Sequence, residues 1–181
     1  MTGAAFVPPE QLLTVADILK HSHANVESEI QGGSMGATLP AGARIRLSCT
    51  DRPEYRTGDV LVYVMDGRLI AHRMVGRGRR ARVLRFLITR GDAAVNCDPP
   101  VPVERTVGYV TEWRAREVAS WSGIGPAPQH SAIGALMRRA NLAAISMLLE
   151  IHPLLARGVA IAAWRVRGLL ARGRAIAGTR S

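Results

Sequence analysis

Lysine is almost absent from this sequence: Lys20 is the only one among 24 basic residues. A serine nucleophile that uses a neutral lysine as its base requires that lysine downstream of it on the same scaffold. Lys20 instead lies near the N-terminus, at a predicted helix end, so chemistry of the serine–lysine kind is excluded. Cysteine is nearly as scarce. Cys49 and Cys97 make no disulfide framework, and no Cys/His spacing resembles a zinc site. The pair His21 and His23 lacks a third ligand nearby and reads as a polar helix end, so neither a metal nor another cofactor is expected. Long apolar runs are missing too. The cleanest, Ala140 to Leu149, is ten residues, against the roughly 18 needed to span a bilayer. Met1 to Pro9 carries no basic residue and is too short for a signal-peptide core. These absences predict a cytoplasmic chain, soluble or peripheral at the inner face of the membrane.

What is present suits a folded domain. The chain has 181 residues, is 48% apolar and carries a net charge of +10. That composition supports a real core in one domain, with room for a small appendage. The charge is concentrated at the C-terminal end. Residues 131–181 hold eight arginines against one acid, Glu150, which leaves +7. On a helical wheel, Val159, Ala162, Ala163, Val166, Leu169 and Leu170 share one face, while Arg157, Arg165, Arg167, Arg172 and Arg174 lie on the other. The pattern fits a helix lying on anionic lipid, and equally one packed on its own domain. No recognised nucleic-acid-binding motif accompanies the arginines, so nucleic acid is not an expected partner.

In chain order, Pro8 and Pro9 introduce a short helical pattern through Leu19. Val26, Ser28 and Ile30 alternate with polar residues, as in a strand with one wet face, and lead into Gly32-Gly33. The two glycines permit an unusual backbone path and close approach of another chain. Strand patterns follow at 44–48, 60–65, 68–75, 82–89 and 106–113. Asp66-Gly67 marks a hairpin, and 76–80 a second, basic turn. Strands at this density without intervening helices predict a mainly β fold, a coiled and partly closed barrel. The expected organisation is an N-terminal helical segment (1–25), a β core (26–115), a linker rich in Gly, Pro and Ser (116–130) and an Arg-rich helical extension (131–181) broken at Pro153.

The residues suited to chemistry lie between Gly32 and Asp98. Ser34 stands at the exit of the glycine turn, and a serine hydroxyl needs a base to become a nucleophile. With lysine excluded, the base is a histidine oriented by a carboxylate. His72 lies mid-strand and shares a face with Ile70 and Met74, which buries it in part and suits it to act as a base. His21, His23, His130 and His152 lie in predicted helices or the linker and are weaker candidates.

Four short motifs stand in order: Ser34-Met35, His72-Arg73, Thr89-Arg90-Gly91-Asp92 and Asp98, with steps of 38, 20 and 6 residues between Ser34, His72, Asp92 and Asp98. In this the sequence resembles the signal peptidase I superfamily, in the branch found in archaea and the endoplasmic reticulum. That branch has a Thr-Lys-Gly-Asp segment where Thr89 to Asp92 stand here. Gly58-Asp59-Val60 and Val107-Gly108-Tyr109-Val110 also fit, so the likeness covers about residues 26–113. It implies a coiled β fold of the signal peptidase and LexA type and a serine endopeptidase. Ser34 would be the nucleophile, His72 the general base and Asp98 the acid that orients it, with Asp92 in support. Backbone N–H groups of Ser34 and Met35 would hold the oxyanion, because Gly32 stands where bacterial relatives carry a hydroxyl. Gly32, Gly33 and Met35 would border the substrate. The sequence departs from the branch at Gly36-Ala37, with proline delayed to Pro40, and in lacking a membrane-spanning anchor.

The expected substrate is a leader, precursor or signal-like peptide, cut after a small residue and bound as an added strand. A catalytically inactive peptide-binding β domain with a basic tail for a membrane or protein partner is the alternative. A LexA-like self-cleaving regulator is excluded by the missing downstream lysine and by the lack of a DNA-binding domain ahead of Ser34.

Overall fold

The computed structural model describes residues 8–50, 55–80, 84–128 and 132–151. The expected second C-terminal helix, its arginine face, His130 and His152 lie outside these residues.

Among the described residues the fold is mainly β: eight antiparallel strands in one sheet, with two α-helices. Helix α1 (Pro9–His21) starts at a proline, whose missing N–H costs nothing in the first turn. The strands are β1 (Asn25–Glu29), β2 (Arg44–Cys49), β3 (Val60–Met65), β4 (Arg68–Arg80), β5 (Leu84–Arg90), β6 (Val101–Pro102), β7 (Thr106–Arg114) and β8 (Ser122–Gly123). Helix α2 spans Ala132–Ile151. The order across the sheet is β1-β2-β7-β3-β4-β5-β6, with β8 paired to β7. Among the described residues the sheet does not close, so β1 and β6 end as edges.

The middle of the sheet follows from β3. Its sequence, Val-Leu-Val-Tyr-Val-Met, is apolar on both faces, as a strand covered on both sides requires. Val60, Val62 and Val64 join Ile45, Leu47, Val107 and Val110 in a core roofed by Leu12, Leu13 and Ala16 of α1. Leu61 and Tyr63 point the other way, into a second core with Met74, Leu87 and Val101. Asp66 and Gly67 both have positive φ (50° and 70°), the geometry of the two-residue hairpin that joins β3 to β4.

Two expectations change here. Residues 76–80 are not a turn: β4 runs on through them, with a shift of register between Met74 and Gly76 that absorbs the irregularity. Their glycines and arginines look like a turn only because composition does not record that β5 pairs along their length. The stretch after β7 is also more than a linker. Ser122 pairs with Trp113, and the Arg46 guanidinium stacks 4.0 Å from the centre of the Trp121 ring, so this segment is held on the sheet.

Helix α2 packs on the sheet. Ile145 is buried with Ile88 and Cys97, with Leu142, Val75 and Phe86 around them. The Cys97 backbone N–H donates to Asn141 Oδ1 at 2.8 Å, which fastens the helix to the loop after β5. No helix among the described residues is long and apolar enough to cross a membrane.

Candidate active site

Ser34, His72 and Asp98 come from three distant parts of the chain and meet in one line. Ser34 sits in the turn after β1. Its neighbour Met35 is buried in the first core beside Leu39, and this fixes the turn from below. The expected backbone irregularity is displaced by a few residues: Gly36 has φ +58°, whereas Gly32 and Gly33 have no positive φ. Those two glycines are exposed, and a Cβ on either would meet nothing within 4 Å. The approach to Ser34 is open on that side.

His72 stands in the middle of β4, opposite Leu61 of β3, and is 9% exposed. Asp98 lies on the loop between β5 and β6. That loop turns back so that the Asp98 N–H donates to the Thr89 carbonyl at 2.8 Å. The imidazole then has a partner on each nitrogen. Its Nδ1–H donates to Asp98 Oδ2 at 2.7 Å, which leaves the Nε2 lone pair to accept the Ser34 hydroxyl, also at 2.7 Å. A carboxylate has no proton to give, so it selects this tautomer.

The sequence offered no sign that Asp98 is held from behind. Thr89 Oγ1 donates to Asp98 Oδ2 at 2.8 Å and the Tyr63 hydroxyl donates to the same oxygen at 3.1 Å. Burial, and after it the charge of Asp98, raises the Tyr63 phenol well above its ordinary pKa of 10.0, so it remains a donor. Tyr63 was legible in principle. A tyrosine inside an apolar strand must find a partner for its hydroxyl, and alternation places it on the face shared by Leu61.

Asp92 belongs elsewhere. Arg73 clasps it with two nitrogens, Nε to Oδ1 at 2.9 Å and Nη2 to Oδ2 at 2.8 Å, while Nη1 donates to the Gly58 carbonyl at 2.8 Å. Both side chains are 4% exposed. Asp92 therefore braces the loop next to the site and does not touch His72. Lys20 is also accounted for: its Nζ pairs with Asp17 at 2.8 Å and donates to the Glu104 carbonyl. At the same helix end, the His21 ring donates from Nδ1 to the Asp17 carbonyl at 2.7 Å.

Gly91 closes the arrangement. A Cβ there would lie 2.5 Å from the Ser34 carbonyl oxygen and 3.1 Å from His72 Nε2. The Ala93 N–H donates to that same Ser34 oxygen at 3.0 Å. The loop after β5 thus holds the serine turn by its carbonyl. Among the described residues, the backbone N–H groups of Ser34 and Met35 have no hydrogen-bond acceptor. With its side chain in the core, Met35 can offer the site only its backbone.

Such an arrangement can move a proton from a hydroxyl to an imidazole and stabilise the resulting cation. In comparisons with known proteins, no family model and no curated protein matches this chain.

Proposed function

We propose that this protein is a serine endopeptidase of the signal peptidase kind, with Ser34 as nucleophile, His72 as general base and Asp98 as the orienting acid. The observation that carries the reading is the unbroken chain Ser34 Oγ, His72 Nε2, His72 Nδ1 and Asp98 Oδ2, with 2.7 Å at each hydrogen bond. A half-buried serine and a buried histidine with structural roles alone have no need of this alignment. The antiparallel sheet and the place of Ser34 directly after an edge strand suit a fold of the signal peptidase and LexA type.

The chemistry follows from the positions. His72 Nε2 takes the hydroxyl proton as Ser34 Oγ attacks a peptide carbonyl. Negative charge develops on the carbonyl oxygen, and the uncommitted N–H groups of Ser34 and Met35 are the donors at hand for it. The imidazolium is stabilised by Asp98, which Thr89 and Tyr63 hold in place. It returns the proton to the leaving amine, and the C–N bond breaks to give an acyl-serine. Water then attacks with His72 again as base, and the acid product leaves.

Among the described residues, strand β1 presents an unpaired edge and largely exposed side chains just ahead of Ser34. A peptide added along this edge in extended form would run toward the hydroxyl. The substrate class is a leader, precursor or signal-like peptide. Contact of residues 154–181 with anionic lipid is a further part of the proposal.

Cleavage of precursor peptides by the wild type, Ser34→Ala and His72→Ala tests the assignment. Both variants should fall to background while remaining folded, and full cleavage by either removes it. A serine-directed phosphonate should label Ser34 alone. A folded wild type that cannot be labelled but binds the precursor peptide is an inactive peptide-binding domain.

A further inference from the structure

The outward face of α2 is as apolar as the face it packs on the sheet. Leu136, Met137 and Met147 are 68%, 58% and 64% exposed, and Ala140, Ala143 and Ala144 are exposed between them. Spaced at i, i+1, i+4, i+7, i+8 and i+11, these six residues form one stripe along the helix. The stripe is about 16 Å long, from the rise per residue of a helix. Among the described side chains of α2, Arg139 is the only charged one exposed with it. The inward side is mixed: Leu142, Ile145 and Leu148 pack on the sheet, beside the half-buried Asn141 and the buried Arg138. A surface helix of a globular protein has the opposite arrangement, with its polar residues outward. An apolar patch of this kind marks a surface that meets a partner.

Charge identifies the partner. Strands β4 and β5, on which α2 lies, carry Arg77, Arg79, Arg80 and Arg85 at their adjoining ends, and no acid occurs from 77 to 85. Residues 131–181 add eight arginines against Glu150, a surplus of +7 (8 − 1). A second copy of the chain would bring like charge against this surface and be repelled. The occupant must be apolar where it meets the stripe and anionic around it. A bilayer containing anionic phospholipid offers both at once, acyl chains for the stripe and phosphates for the arginines.

We infer that the outward face of α2 seats the protein on anionic membrane, with Leu136, Met137 and Met147 buried below the headgroups. The three alanines let the helix approach the lipid closely, since each places only a methyl group between them. Arg139 keeps its stem with the apolar residues and extends its guanidinium to the phosphates. The helix lies in the interface and does not cross it; no helix among the described residues is long and apolar enough to do so. Asn141 ties α2 to the loop of Cys97 and Asp98, so a docked α2 also holds the candidate active site near the membrane. This docking is separate from the contact proposed for residues 154–181 and does not depend on the peptidase reading.

The test uses the full-length chain with vesicles of phosphatidylcholine, alone or mixed equally with phosphatidylglycerol. The wild type should co-sediment with the mixed vesicles and not with the neutral ones. Leu136→Gln, Met137→Gln and Met147→Gln combined should lower the partition coefficient at least tenfold. The melting temperature should not change, because all three side chains are exposed. A marked fall in it would mean that the protein itself covers the stripe, and would overturn the proposal. Binding retained by this variant comes from arginines elsewhere, residues 154–181 included, and overturns the role of α2. So does a wild type that binds neither vesicle, or both alike.

A polarity-sensitive fluorophore attached at Met147→Cys reports insertion directly. Cys49 and Cys97 are buried and stay unlabelled. Emission should shift to the blue with the mixed vesicles and not with soluble polyglutamate. The same dye at Glu117→Cys, an exposed position after β7, should not shift. A shift with polyglutamate as well assigns the stripe to an acidic protein. A dimer in light scattering that the triple variant abolishes assigns it to a second copy, and either result overturns the membrane as the occupant.

Discussion

Gly91 and Ser34 are in contact through the backbone, so closely that a methyl group on Gly91 would lie 2.5 Å from the Ser34 carbonyl oxygen. The same methyl group would lie 3.1 Å from His72 Nε2, the nitrogen hydrogen-bonded to the Ser34 hydroxyl. Gly91→Ala must therefore move the loop, the serine turn or the imidazole. A displacement of about 1 Å at a reacting centre costs on the order of 100-fold in rate. Peptide cleavage by Gly91→Ala should fall by that amount while the circular dichroism spectrum keeps its β signature.

Asp98 and Asp92 should respond differently to the same substitution. Asp98→Asn leaves the shape but removes the charge that orients His72, and the drop in kcat should be about 1000-fold or more. Asp92→Asn leaves the buried Arg73 guanidinium without its carboxylate, a loss of about 3–5 kcal/mol in stability. Kinetics and urea denaturation on both variants check this. If Asp92→Asn abolished turnover in a fully stable protein, the two roles would be reversed.

Tyr63→Phe removes one of the hydroxyls held on Asp98 Oδ2 and leaves Thr89 at 2.8 Å. A hydrogen bond to a charged group is worth about 1.5–3 kcal/mol, and part of that loss should reach the transition state. The expected result is roughly a tenfold fall in kcat with KM unchanged, since Tyr63 touches no substrate.

Alkali should loosen the fold through Cys97. Burial pushes this thiol up from 9.0 to about 11, so the folded protein holds the proton more tightly than the unfolded chain. The resulting stabilisation is complete below pH 9 and is lost as pH rises from 9 toward 11, at a cost on the order of 2 kcal/mol. Tyr63, raised well above 10.0 by burial, acts in the same direction at still higher pH. Urea midpoints from pH 8 to 11 should fall steeply for the wild type and less steeply for Cys97→Ala.

Local chemistry and spacing carried much of this protein. The apolar run at Val60 to Met65 marks a strand covered on both faces, Asp66-Gly67 marks its hairpin, and a single lysine at Lys20 removes one mechanism. Alternation along β4 was enough to put His72 on the buried face with Met74. These properties depend on near neighbours, and near neighbours are written in the sequence.

Only the tertiary structure decided how the charged groups are shared out. Asp92 and Asp98 are six residues apart on one loop, yet one meets Arg73 and the other His72, because the loop folds back against Thr89 between them. The same holds for the hydroxyls behind Asp98 and for the strand that continues through residues 76–80. Partners of this kind are chosen by where distant segments come to rest, and no spacing along the chain encodes that.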